Sequence, residues 1–525
     1  MAPSRVLYYS AYTVWVAVLV GVARRINRDV REPYMDEIFH VPQAQAYCRG
    51  QWRYWDAAIT TPPGLYLVPA VLAHVDRSFQ RLFTALPIGF NPCSLDALRS
   101  FNLAILAALP FLYSALLVAI RKPSVTSPPG QERKSTNARE EEQSRNSARW
   151  EGLVIAMMPV VGWWGWLYYT DLGSVATVLL SMRLSLARKY FASSVIGATS
   201  LLFRQTNVIW IAFIAGVAVV RELSSLEVTK KRSQLYDPLL SEARWIDLIL
   251  TPYSLVYLAL HDVPALLPVL AAYLPVFAGF LAFVKLNGGI VLGDKSNHVA
   301  TVHVPQIYYF VAFSAVFVSP HLLRVRYVKK SLASLCGTTT RLLCSFTALA
   351  AMSWTIRNFT IAHPFLLADN RHFAFYLWRR ILNVHPLARY ALTPGYLFAS
   401  RLLFEALIDA QTMRLSTFLL FSISTALVLV PTPLLEPRYF LTPFLFLRLY
   451  LARPASSTST STPDRRSTRR ARVVLEAVLY VAVQAACVWL FLEKSFTWDV
   501  EVGPDGKGLQ GRDAREVGKR QRFMW

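Results

Sequence analysis

Long apolar runs alternate with short polar gaps along the whole chain. Runs approaching the ~20 residues that an α-helix needs to cross a bilayer lie at 6–23, 98–120, 152–169, 265–284, 304–320, 415–431, 438–452 and 473–492. Shorter or interrupted runs lie at 172–187, 190–203, 207–220, 342–356 and 363–378. This pattern predicts an all-α, polytopic integral membrane protein with about a dozen spans. The run at 6–23 ends on Arg24-Arg25 without a small-residue cleavage site, so it reads as a retained first helix and not as a cleaved signal. The segment 64–75 is too short to span and follows Pro62-Pro63-Gly64, which predicts an interfacial or re-entrant helix.

Composition agrees with a membrane class. Hydrophobic residues make up 54% of the 525 positions and charged ones only 17%, against roughly 25% charged in soluble domains. There are 55 Lys and Arg against 32 Asp and Glu, a formal net charge of +23. Most basic clusters sit in the gaps 121–150, 221–246, 321–341 and 453–472, as positive-inside topology requires. That distribution assigns the gaps to the cytosol and argues against nucleic acid as a partner. Residues 24–97, 285–303 and 357–362 then fall on the opposite, lumenal side. Arg379-Arg380, Arg389 and Arg401 point to cytosolic interfacial helices between 379 and 414.

The gaps 121–150 and 453–472 are rich in Ser, Thr and Pro and read as disordered. The chain thus divides into a multi-span core at 1–452, a basic linker at 453–472, and a final helix with a polar tail at 473–525. The five cysteines show no metal-ligand spacing. Cys48 and Cys93 have the option of pairing in an oxidising compartment, but unpaired buried thiols are the favoured reading.

The informative polar residues are those outside the cytosolic gaps. The first lumenal loop carries Asp36 and Glu37, then His40, Gln43 and Gln45 among apolar residues. In a helix over 35–45, Asp36, His40 and Gln43 share a face while Glu37 is offset by about 100°. The two carboxylates therefore meet different neighbours. Carboxylates complementing a helix dipole remain an equal alternative on the loop alone. Trp52, Tyr54 and Trp55 suit either sugar stacking or a membrane-interface belt, and the run Trp163 to Tyr169 reads as a belt.

Further polar clusters fall at the same side. They contain Arg204, Lys295 with His298, Arg371 with His372, and Arg438. Charges so close to a bilayer face a cavity or a partner, and ion pairing is the plain alternative where an acid adjoins. Carboxylates and several cations gathered at one membrane face make a site for an anionic, lipid-linked substrate. A transporter would instead place charges within spans. Metal-protease, dinucleotide and P-loop motifs are absent, as is any D-x-D, so neither metal nor cofactor is expected.

The segments PYMDEIFHVPQAQAYC, ITTPPGLY, FRQTNVIWI, LGDKSNHVATVHVPQIYYF, HPFLLADNRHFAFYLWRRI and EPRYFLTPFLFLRL, in this order from Pro33 to Leu449, resemble the family of endoplasmic-reticulum α-1,2-glucosyltransferases. These enzymes add the last glucose to the dolichol-linked N-glycan precursor. The resemblance implies a GT-C type glycosyltransferase of about 12–14 helices, multi-pass in the endoplasmic-reticulum membrane. It implies dolichyl-phosphate-glucose as donor, the diglucosylated dolichyl-diphosphate oligosaccharide as acceptor, and inversion at C1 with a first-loop carboxylate as base. That role falls on Asp36 before Glu37, which is left for sugar hydroxyls or an arginine. His40 and Gln43 would bind substrate. Arg371 and His372, then Lys295, His298, Arg204 and Arg438, would meet the phosphate. Another dolichyl-phosphate-sugar transferase of the same architecture, or a lipid or sugar transporter, is the alternative.

Overall fold

The computed structural model describes residues 3–82, 91–121, 138–229, 235–295, 299–452, 463–498 and 518–525. These residues form an all-α protein whose sole sheet among them pairs Phe496–Thr497 with Arg520–Gln521, antiparallel. The chain opens with α1 (Pro3–Asp29), α2 (Glu37–Cys48), α3 (Gly64–Leu82) and α4 (Leu95–Arg121). Next come α5 (Ala138–Ala156), α6 (Pro159–Trp163), α7 (Asp171–Leu186), α8 (Tyr190–Leu201) and α9 (Asn207–Thr229). The first loop therefore carries two helices, α2 and α3, each with an internal proline.

Among the described residues, six helices are long and apolar enough to cross a membrane: Arg5–Asp29, Leu95–Arg121, Asn207–Ser225, Val263–Asn287, Ala388–Ala410 and Arg469–Glu493. A seventh crossing follows if Val325–Cys336 and Thr339–Phe359, bent by 88°, act together. Several apolar runs thus become shorter helices than their hydropathy predicts. The run 152–169 breaks at Met157-Met158, because Pro159 cannot continue the helix. The run 363–378 splits into Pro364–Ala368 and Phe373–Leu377 around a polar turn.

Other expectations change as well. Residues 138–150 and 463–472 are helical, as the N-terminal parts of α5 and of the last helix (Pro463–Glu493). Glu, Gln, Arg and Ala favour a helix there, and Glu141–Arg145 pairs at i,i+4. Ala388–Ala410 is long and apolar enough to cross a membrane, and Glu405 pairs with Arg401 at 2.7 Å. Asp247–His261, which carries Pro252 inside it and is shorter than a span, is a helix with a mostly exposed apolar surface.

Cys48 and Cys93 form a disulfide. Both sulfurs lie in a small buried cluster with Ala73, so α2 and α3 bring the thiols together across the loop. The Trp163–Tyr169 run is no belt: Trp163, Trp164, Trp166, Tyr168 and Tyr169 are all buried. Leu106 packs where a Cβ on Gly165 would stand, and the Trp166 indole donates to the Leu19 carbonyl at 3.1 Å. That run is the floor on which the first loop rests.

Candidate active site

The segments that resemble one family meet at one face of the bundle. Gly64 lies so close to Leu202 that its N–H donates to the Leu202 carbonyl at 2.8 Å and leaves no room for a Cβ. The Gln205 amide donates to the Thr60 carbonyl at 2.6 Å. Gly293, at φ +60°, turns the chain so that the Asp294 N–H reaches the Ala57 carbonyl at 2.9 Å. Gln306 donates to the Leu434 carbonyl at 2.9 Å, setting the turn that leads to Glu436. Each segment is a contact between loops, and the first loop is the hub.

Asp36 and Glu37 diverge as the helical offset implies. Glu37 is 0% exposed and receives Arg99 at both oxygens, at 2.9 and 2.6 Å. It also accepts the Tyr34 N–H at 3.0 Å and the Tyr168 N–H at 2.7 Å. Every oxygen lone pair facing those donors is engaged. Asp36, at the N-terminus of α2, makes no capping hydrogen bond, and its side chain is 38% exposed. Its carboxylate accepts from Arg438 at 3.0 Å, while its N–H donates to the Tyr169 hydroxyl at 3.1 Å. Met35, at φ +57°, makes the turn that separates the two acids.

Electrostatics keeps Asp36 ionised. Burial pushes its carboxyl up, but the charge and hydrogen bond of Arg438 lead the opposing effects and hold it below the usual carboxylate range. Burial lowers the His40 imidazole to about 4, only partly opposed by Asp36. His40 is thus a neutral ring at ordinary pH, and its Nδ1 shares a 2.6 Å hydrogen bond with the Tyr66 hydroxyl. Burial disfavours the Arg438 charge, yet Glu436, Tyr439 and Asp36 raise its pKa well above the ordinary value.

A narrow cleft beside Asp36 is lined by Asp171, Arg204, Asn207, Arg438, Tyr439 and Thr442, among others. Arg204 donates to Asp171 Oδ1 at 2.8 Å and lies over the Tyr439 ring at 5.4 Å. Asp171 is 2% exposed, and its second oxygen has no hydrogen-bond partner. Two carboxylates and two guanidinium groups therefore share one small space.

The other expected residues are placed differently. Gln43 is fully buried and fixes the loop by donating to the Tyr54 carbonyl at 2.9 Å and accepting the Asp56 N–H at 3.0 Å. Arg371 is buried against Asp369 at 2.7 Å and Gln521 at 3.0 Å. Its neighbour His372 meets the Trp525 main-chain oxygen at 2.9 Å. Lys295 is exposed and donates to the Asn287 carbonyl. His298 lies outside the described residues. Of the expected set, Asp36, His40, Arg204, Arg438 and His372 converge.

Arg99, Tyr169, Asp171, Tyr439 and the tail residues 519–525 also reach this site, although local pattern alone does not single them out. A carboxylate opening an apolar helix directly after Tyr168-Tyr169-Thr170 was the available signal for Asp171, masked by the belt reading of the aromatic run. Arg99 carried a signal too, as a lone charge at the end of a span.

A profile of the DIE2/ALG10 family matches residues 30–449. Among curated proteins, one from Rattus norvegicus is 33% identical over 100% of both chains. One from Homo sapiens is 32% identical over 100% of both chains. One from Arabidopsis thaliana is 32% identical over 94% of this chain and 97% of its own. Each of the three is named a Dol-P-Glc:Glc(2)Man(9)GlcNAc(2)-PP-Dol alpha-1,2-glucosyltransferase. No solved structure matches the chain. Matched over most of its length, with the matched segments gathered at one face, the chain belongs to the DIE2/ALG10 family.

Proposed function

We propose that this protein transfers glucose from dolichyl-phosphate-glucose, with inversion, in α-1,2 linkage to the diglucosylated dolichyl-diphosphate oligosaccharide. The reaction would take place at the lumenal face of the endoplasmic-reticulum membrane. Family membership motivates the substrates, since the curated relatives carry that activity in their names. The observation that carries the chemistry is the pairing of half-exposed Asp36 with Arg438 at the mouth of the Arg204–Asp171 cleft.

In this reading the acceptor 2-hydroxyl attacks C1 of the donor glucose and Asp36 takes its proton. The C1–oxygen bond breaks, and dolichyl phosphate departs with the electron pair. Arg438 and Arg204 receive the charge that develops on the phosphate, with His372 beside them. Phosphate is a good leaving group, so no separate acid is needed. Glu37 holds Arg99 and two main-chain N–H groups, which fixes the turn bearing Asp36. His40, neutral and bonded to Tyr66, is suited to hydrogen bonding with a sugar and not to charge. Exposed Trp52 and Tyr54 on the same loop suit stacking on the acceptor glycan. The Cys48–Cys93 disulfide fits an oxidising lumen.

The test is transfer by the purified protein from dolichyl-phosphate-glucose to the diglucosylated acceptor, read by mass and linkage of the product. An α-1,2-linked third glucose is expected. Transfer only from another dolichyl-phosphate sugar, or none from this donor, would refute the assignment.

A further inference from the structure

The residues furthest from the first loop in sequence are bound to it. Lys519–Trp525 lie outside the 30–449 segment matched to the family, and follow the last helix through residues 499–517, which are outside the described set. The Tyr34 hydroxyl donates to the Arg522 carbonyl at 2.7 Å and accepts the Arg522 N–H at 2.8 Å. The Arg522 guanidinium donates to the Phe491 carbonyl at 2.8 Å and the Asp29 carbonyl at 3.2 Å. Fully buried Met524 donates to the Arg371 carbonyl and accepts the Phe373 N–H, both at 2.9 Å. Gln521 meets the Arg371 side chain, and the Trp525 main-chain oxygen meets His372 Nδ1 at 2.9 Å.

We infer that Lys519–Trp525 is a positioning strap of the active site, holding the Tyr34–Asp36 turn and the Arg371–His372 loop at a fixed separation. One side of the strap grips Tyr34, two residues before the proposed base. The other side brackets His372 between two main-chain hydrogen bonds and engages its Nδ1. With Nδ1 donating to the Trp525 oxygen, Nε2 is the nitrogen left to meet substrate. His372 is already close enough to act on the Asp36 carboxylate electrostatically. None of the strap residues touches the reacting atoms in this account. Their effect runs through Asp36 and His372, and it rests on the functional reading above.

A misplacement of about 1 Å at a reacting group costs on the order of 100-fold in rate. The chain truncated after Gly518 should therefore lose about 100-fold in kcat, with acceptor KM changed far less. Adding the synthetic heptapeptide of residues 519–525 should restore turnover, and the same peptide with Met524→Asp should not. Tyr34→Phe, which removes only the hydroxyl bonded to Arg522, is the milder variant should the truncated chain fail to fold. It should lower kcat with the melting temperature nearly unchanged. Hydrogen exchange at the Phe373 amide reads the strap without turnover and should accelerate in both variants. Wild-type kcat in either folded variant would overturn the inference. So would slow exchange at Phe373 without the strap. A wild-type protein that transfers no glucose would instead overturn the functional reading, with the exchange measurement still deciding the strap.

Discussion

Replacing Glu37 with glutamine separates architecture from chemistry at the paired acids. The carboxylate accepts from Arg99 Nε and Nη2, from the Tyr34 N–H and from the Tyr168 N–H. An amide offers one acceptor oxygen and turns two N–H bonds toward the remaining donors. Arg99, only 2% exposed, is left with an uncompensated charge. Removing one member of a buried pair costs about 3–5 kcal/mol, and the main-chain donors leave little chance of relaxation. Glu37→Gln should therefore lower stability by about that amount in denaturant or thermal unfolding of the purified protein. Activity assayed well below its melting temperature should fall only in part. Replacing both partners, with Glu37→Leu and Arg99→Met, should not restore stability. Arg99 also donates to the Val30 carbonyl at 2.8 Å, and the two N–H groups would still lack an acceptor. If Glu37→Gln keeps wild-type stability yet abolishes transfer, Glu37 is part of the chemistry and the division of labour drawn here is wrong.

Asp36→Asn should abolish transfer while leaving folding and membrane insertion intact, because Asp36 is half-exposed; normal transfer by microsomes carrying it would exclude this base. Asp171→Asn removes the carboxylate with which the donor phosphate competes for Arg204, so it should lower the KM for donor more than it changes kcat, read by varying dolichyl-phosphate-glucose. The disulfide closes a loop with a sequence separation of 45 residues, so replacing Cys48 and Cys93 by serine should cost about 4 kcal/mol of stability by loop-closure entropy. Unchanged thermal unfolding would count against a formed bond. His40 is neutral when folded down to about 4, whereas the unfolded chain protonates near 6.5. Its contribution is complete above pH 6.5 and is lost as pH falls toward 4, about 3 kcal/mol in all. His40→Gln should flatten that part of the stability–pH curve.

Much of the fold class is legible in the periodicity of apolar runs, because crossing a bilayer demands length and hydropathy that a sequence displays directly. The breaks are less legible. Met157-Met158 ends a helix because of Pro159, yet hydropathy averages across it. Residues 138–150 look disordered by composition, but they are continuous with the largely apolar turn at 151–156 in one helix. At the site, the adjacency of Asp36 and Glu37 and their different environments follow from helical geometry. Which of them is buried does not, since Arg99 and Tyr168 arrive from distant segments. Gln43 shares the local face yet turns to the Tyr54 carbonyl, because tertiary contact decides a polar residue's partner. The Trp163–Tyr169 run has belt composition but forms the floor of the site. The tail was unreadable for the same reason: Arg522 and Met524 acquire meaning only through Tyr34 and Arg371.

The net charge of +23 invites a picture of open cations awaiting an anionic lipid, and the described geometry at this face is different. Arg204 is held by Asp171, Arg438 by Asp36 and Glu436, and Arg371 by Asp369. A phosphate entering the cleft must compete with these carboxylates. In the proposed mechanism that competition is productive at one pair. If Arg438 turns toward the donor phosphate, Asp36 loses the partner that most lowers its pKa and becomes a stronger base. Donor binding then arms the base, and without donor the same ion pair keeps Asp36 occupied. Arg438→Lys preserves the charge but not the fork that spans Asp36 and Glu436. It should leave the acid limb of the pH–rate profile at higher pH than in the wild type, whereas a purely phosphate-binding Arg438 would change KM and leave that limb in place.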